Sequence, residues 1–287
     1  MRNRGFTLVE MLVVIGILAL LITTLLGVFS GSTESARAVK CLSNMRSLAV
    51  GVSSVSEAEL CAGSMNFAEA GMKNGRLVIK EQPGWISWDS AGVFPTDHKI
   101  TESEGLGMYF SCYEQDPDKL DWAFKHGTLC RKVNGNRELF RCPTHVHRMS
   151  AKPPAWSYVM NPSASMGWIG KSPKVGSGAN PERVLLFAEI PFLDAEAPTG
   201  TGGGSGAEFD CVLQHRGCKG YNEYIGFNHK PNKRSLCAHV VFIDSHVEKL
   251  YMPKDGLSQE QLAELTEWLC MGKAFSYDGH EYKELKE

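Results

Sequence analysis

Residues 11 to 29, MLVVIGILALLITTLLGVF, carry no charge, and Thr23 and Thr24 are almost their only polar side chains. A helix of that length rises about 28 Å, enough to cross the hydrocarbon core of a bilayer. The run therefore predicts a membrane helix. Arg2 and Arg4 precede it, whereas Glu34 balances in part the Arg37, Lys40 and Arg46 that follow. The strongest positive signal thus sits at the N-terminus, which predicts that end in the cytoplasm and the bulk of the chain outside.

The rest of the composition constrains less. Hydrophobic residues make up 43% of the 287, ample for a packed core of one large or two small domains. Thirty basic and 32 acidic residues are mixed along the chain with no basic block, so nucleic-acid binding is unsupported. Nine cysteines are many for a reduced compartment, and outside the cytoplasm they are free to form disulfides, the odd count leaving at least one over.

Three fates compete for the N-terminal segment: a removed secretory signal, a plain anchor, and a precursor cut before the apolar run. Ala36-Arg37-Ala38 has the small-x-small form of a secretory cleavage site. The apolar run, however, exceeds the usual length of about 7 to 15 residues, and Glu10 interrupts its start. A carboxylate costs roughly 2.5 to 3.5 kcal/mol at the centre of a membrane helix and less near its end, so something should compensate Glu10. A cut between Gly5 and Phe6 would place a new α-amino group four residues before Glu10. That spacing puts both on one helix face, or within reach in a neighbouring copy, where they neutralise each other in lipid.

Gly5-Phe6-Thr7-Leu8-Val9-Glu10, followed by the long apolar helix, resembles the class III signal of type IV pilins and type II secretion pseudopilins. The resemblance implies that a prepilin peptidase cuts after Gly5 and methylates Phe6. It also implies storage in the cytoplasmic (inner) membrane as a single-pass protein in contact with lipid. Self-assembly with other pilin-like subunits follows, through the N-terminal helices and with secretion or pilus assembly machinery, Glu10 serving assembly. A leader of residues 1–5 is then expected, followed by a helix over 6–60 that spans the membrane at about 8–29. An extracytoplasmic head would occupy 61–287.

Beyond the span, Ala38, Leu42, Met45, Leu48 or Ala49, Val52 and Val55 recur at helical spacing, predicting one helix up to about Leu60. Gly27 and Ser30-Gly31-Ser32 are weak helix formers, and a bend is expected there. Strand-like runs follow at Arg76–Lys80, Trp85–Trp88, Trp156–Met160, Val184–Ala188 and His239–Ile243, with Asp244-Ser245 turning the last into His246–Leu250. Ser258 with Gln261, and Leu257 with Leu262, signal the start of a late helix. The fold class is α+β: a pilin-like long N-terminal helix packed on an antiparallel sheet with insertions.

A second resemblance covers Lys40–Arg46, Leu139–Pro143, Ser157–Asn161 and Val241–Glu248. These blocks are similar to landmarks of a large pseudopilin-like family with a C-terminal "H-x9-DG" signature. Ser245 stands where that family has glycine, and Arg234 stands ten before Asp244, with His229 further upstream. A tight Asp-Gly turn needs a positive φ that glycine supplies, so Ser245 implies strain or another turn type. Cys41 and Cys142 both sit in these blocks, and a disulfide between them is expected to hold the helix to the head.

No metal site is expected. Cys142 with His145 and His147, and Cys211 with His215 and Cys218, are ligand types at short spacing but fit no standard zinc pattern. Asp194, Glu196, Glu208 and Asp210 around the glycine-rich Thr199–Gly206 loop lack calcium spacing. That loop has no phosphate-binding lysine, and neither a nucleophile elbow nor an H-E-x-x-H motif occurs, so no cofactor and no enzymatic activity are expected. The rival reading is a surface module that binds glycans or secreted proteins and uses the pilin route as its anchor. Exposed aromatic clusters on the head would favour it.

Overall fold

The computed structural model describes residues 7–55, 65–73, 76–83, 85–86, 112, 115–164, 179–191, 213, 215–216, 223–230 and 235–285. Side chains are described for these except 25–32, 65–73, 76–83, 119, 122 and 126. Gly5, Phe6 and the Thr199–Gly206 loop lie outside the described residues.

Helix α1 runs over Leu8–Val52 without interruption through Ser30-Gly31-Ser32. Thr7 caps it, its hydroxyl accepting from the Glu10 N–H at 3.3 Å while the Glu10 carboxylate accepts from the Thr7 N–H at 2.8 Å. This reciprocal box satisfies two of the free donors at a helix start. The helix ends at Val52 rather than near Leu60. Ser53 and Ser54 turn their hydroxyls back onto the carbonyls of Ala49 and Gly51, and the Val55 N–H reaches Val52 O at 2.8 Å, tightening the last turn. Serines compete with the helix for its own backbone, which accounts for the stop.

The two halves of α1 differ in environment. From Leu8 to Thr24 every side chain is exposed, Leu8 at 80%. From Ala38 onward one stripe is buried: Ala38, Cys41, Met45, Leu48 and Ala49, spaced as a helix face requires. Leu42, predicted on that stripe, is half-buried, and Asn44 takes a buried place instead. Its amide donates to the carbonyls of Glu138 at 3.1 Å and Arg141 at 3.0 Å.

The stripe packs on a four-stranded antiparallel sheet of order β3-β4-β5-β6: β3 (Tyr158–Met160), β4 (Leu185–Glu189), β5 (Cys237–Phe242) and β6 (Val247–Tyr251). The two central strands are buried along their whole length. Before the sheet comes a hairpin of β1 (Met65–Lys73) and β2 (Arg76–Pro83), then short helices α2 (Pro117–His126), α3 (Thr128–Lys132) and α4 (Pro143–Arg148), with a 3-10 turn Arg137–Phe140 before α4. After the sheet, α5 (Gln259–Met271) starts at the predicted Ser258–Gln261 capping box, with Leu257 and Leu262 both buried. It ends at Gly272 in the left-handed region, and a hairpin of β7 (Phe275–Tyr277) and β8 (Tyr282–Glu284) follows. The chain is thus α+β, with its N-terminal helix packed on an antiparallel sheet.

Trp85 and Ile86, expected in a strand, lie in a bend and are wholly buried. The indole of Trp85 stacks on Phe140 at 5.7 Å and meets Phe187 at 5.0 Å, and its carbonyl accepts from the Leu129 N–H. Aromatic packing on three elements outweighs local alternation here. At the β5–β6 turn Ser245 takes φ 71°, the strained conformation that its place in a glycine position implies.

Candidate functional site

Where α1 crosses the sheet, four side chains from four separate segments converge. Cys41 projects from the buried stripe of α1. Cys142 is the N-cap residue of α4, and its place is fixed from both sides through Arg141, whose carbonyl accepts from Asn44 of α1 and, at 3.2 Å, from the Tyr158 hydroxyl of β3. Glu189 ends the central strand β4. His229 lies in a bridge to Cys237 at the start of β5, with backbone hydrogen bonds of 3.1 and 2.7 Å. The segment carrying His229 is drawn against β4 by Gly226, whose N–H donates to Glu189 O at 2.9 Å. A Cβ at Gly226 would come within 2.6 Å of the Ile190 carbonyl, so only glycine permits the approach.

The thiols of Cys41 and Cys142, a Glu189 carboxylate oxygen and a His229 ring nitrogen all lie within 4.8 Å of one another, and all four residues are wholly buried. Glu189 Oε1 accepts from Cys41 Sγ at 3.0 Å and lies 2.8 Å from His229 Nε2, which is 3.4 Å from Cys142 Sγ. Glu189 Oε2 is held outside the cluster by the His239 backbone N–H at 3.1 Å. His229 Nδ1 faces away, toward Thr144 Oγ1 at 3.2 Å and Glu34 Oε1 at 3.3 Å. Glu34 stands on the same face of α1 as Cys41. The Thr144 hydroxyl donates to Glu34 at 3.0 Å, and the His239 ring stacks on His229 at 4.0 Å.

Burial opposes ionisation of Glu189, yet the neighbouring His229 and His239 hold its carboxyl down at about 2. Burial likewise works against a charged His229, but Glu189 above all drives its pKa far upward. His239 is lowered to about 4 by burial, so it is neutral beside this pair. Burial pushes the Cys41 thiol up. For Cys142 the neighbouring Cys41 thiol and the hydrogen bond and charge of His229 outweigh burial and lower it, so Cys142 loses its proton the more readily of the two. Two sulfurs, an imidazole nitrogen and a carboxylate oxygen are donors that metals of zinc type accept.

The two cysteines expected to be paired are brought together, but as free thiols rather than as a disulfide. Of the ligand-type residues at short spacing from which no metal site is expected, His145 bonds Ser157 Oγ at 3.0 Å and His147 is exposed on α4, so neither joins Cys142. His215 bonds Ser163 Oγ at 2.9 Å, while Cys211, Cys218, Asp194, Glu196, Glu208 and Asp210 lie outside the described residues. Glu10 caps α1, and the Phe6 amine proposed as its partner lies outside the described residues. Glu189 and His229 were not anticipated as site residues. A signal for Glu189 was present, since it continues a fully buried strand that a charge has no reason to enter unpaired. His229 stands outside the ten-residue spacing of the family signature, so the signature does not single it out.

Residues 1–26 match the family described as the prokaryotic N-terminal methylation motif. The chain carries a prepilin-type signal of the type IV pilin and pseudopilin kind. The prepilin signal runs directly into α1, and it implies in general a protein processed by prepilin peptidase and assembled with pilin subunits. No curated protein and no solved structure shows significant similarity to the chain.

Proposed function

We propose that the chain is a pilin-like structural subunit, not an enzyme, cut by prepilin peptidase between Gly5 and Phe6 and methylated on Phe6. In this reading the first half of α1, about residues 8–29, anchors it in the cytoplasmic membrane with the head outside. It then joins a type II secretion pseudopilus or a type IV pilus-like filament. The observation that carries the reading is the methylation motif at residues 1–26 leading into a helix whose side chains from Leu8 to Thr24 are all exposed. Apolar side chains on every face of a helix call for a hydrophobic surround, lipid before assembly and other helices after it. Among the described residues no helix is long and apolar enough to cross a membrane; side chains 25–32, which include the end of the expected span, are not described.

Cysteine cross-linking in membranes of cells making prepilin peptidase tests the assembly reading. Leu18→Cys should give cross-linked dimers, one link per introduced thiol, beyond any that the nine native cysteines give in the unsubstituted chain. Protein that remains monomeric after complete processing would contradict filament assembly and favour the rival, an anchored binding module.

A further inference from the structure

We propose that Cys41, Cys142, Glu189 and His229 form a structural zinc site that clamps α1 to the sheet. The site is separate from the processing and assembly reading, and either stands if the other fails. Tetrahedral zinc with Zn–S about 2.3 Å and Zn–N or Zn–O about 2.0 Å keeps its ligand atoms roughly 3.3 to 3.8 Å apart. The 3.4 Å separation lies within that range, those of 2.8 and 3.0 Å fall short of it by up to about 0.5 Å, and the whole set spans no more than 4.8 Å. Small outward shifts of side chains accommodate the ion. Four protein donors, all wholly buried, make a closed structural site rather than a catalytic one, which keeps a position open for water.

The surroundings are those of a metal-bound histidine. His229 turns Nε2 into the cluster and gives Nδ1 to the Glu34 carboxylate, an outer partner that fixes the tautomer and raises ligand basicity. The second Glu189 oxygen is engaged by the His239 N–H, so Oε1 alone faces the centre. The Tyr158 hydroxyl lies 3.3 Å from Cys41 Sγ, and by turning its proton from the Arg141 carbonyl it can donate to a thiolate there. A disulfide would use only the two sulfurs and leave Glu189 and His229 as a buried ion pair, which desolvation penalises. Zinc engages all four groups. Thiolate with imidazole and carboxylate selects zinc over magnesium or calcium, which take oxygen ligands.

Binding releases the protons on both sulfurs and on His229 Nε2, up to three in all. The ion, two thiolates and the Glu189 carboxylate then sum to one negative charge, which the Tyr158 O–H and His239 N–H face. Because α1 supplies both Cys41 and the outer carboxylate Glu34, the helix cannot rotate on the sheet without breaking the site.

The test uses full-length protein purified in detergent without chelator or reductant. Zinc content should be about one per chain. X-ray absorption should give a shell of two sulfurs and two nitrogen or oxygen atoms, and cobalt in place of zinc should show thiolate charge-transfer bands. Cys142→Ser and Glu189→Gln should each lower zinc affinity at least tenfold, while His147→Ala, in an exposed neighbour, retains it. Wild-type protein with less than a tenth of a zinc per chain, a shell without two sulfurs, or a Cys41–Cys142 disulfide would each overturn the proposal, independently of how any variant folds.

Discussion

His229 Nε2 lies 2.8 Å from Glu189 Oε1, both side chains wholly buried and 40 positions apart in the chain. Their meeting depends on a close backbone contact at Gly226. Gly226→Ala should therefore destabilise the fold by about 1 to 3 kcal/mol through overpacking against the Ile190 carbonyl. It should also displace His229 from Glu189. Urea unfolding measures the first effect, and the imidazole signals of His229 in NMR report the second; unchanged stability would mean that β4 yields freely at this point.

Ser245 should be better as glycine. Its φ of 71° strains any residue with a Cβ, so Ser245→Gly should stabilise the β5–β6 turn by about 0.5 to 1 kcal/mol after the added freedom of the unfolded chain is counted. A denaturation midpoint that falls on substitution would show that the Ser245 side chain contributes more than the strain removes.

Stability should fall between about pH 6.5 and pH 4. Burial lowers His145 to about 3, with Glu189 opposing and Arg148 adding, and burial alone lowers His215 to about 4. Both are neutral when folded, whereas the unfolded chain takes up their protons below about 6.5. The unfolded state therefore binds more protons as pH falls, and stability is lost at up to roughly 2.7 kcal/mol per pH unit for the two together. Unfolding free energies at pH 7, 6 and 5 for wild-type and His215→Gln check this, the variant losing about a third of the slope because His239, lowered to about 4, adds its own share.

Much of the fold was legible because its signals are local. The stripe of α1, the capping box at Ser258 and the strands at Val184–Ala188 and His239–Ile243 each declare themselves within a few residues. The β1–β2 hairpin was read only in its second strand, although Asn74-Gly75 between Lys73 and Arg76 is a strong turn dipeptide. Its first strand, with Asn66, Glu69 and Gly71, is poor in β-formers and gave no alternation to follow. The site was less legible because its contacts join residues 148, 87 and 40 positions apart. Local periodicity carries no record of such meetings. Resemblance had marked Cys41 and Cys142 as neighbours, while the third and fourth members required the sheet register that brings the end of β4 beside the start of β5.

Gly5 and Glu10 should prove separable. Gly5→Leu should leave uncut precursor, since a bulky side chain blocks the approach of the protease to the bond before Phe6. Glu10→Val should be cut normally yet fail to assemble, leaving the Phe6 amine uncompensated in lipid. Glu10 also caps α1 at Thr7, and Glu10→Gln separates the two roles, because glutamine serves a capping box without the charge. Loss of filaments in Glu10→Gln with helix content intact would assign the assembly role to charge.

N-terminal mass spectrometry of the membrane-purified protein tests the central claim most directly. The account predicts a chain beginning at Phe6 and carrying one methyl group on its α-amine. A chain beginning at Met1, or one cut after Ala38 with the whole apolar segment removed, would contradict it.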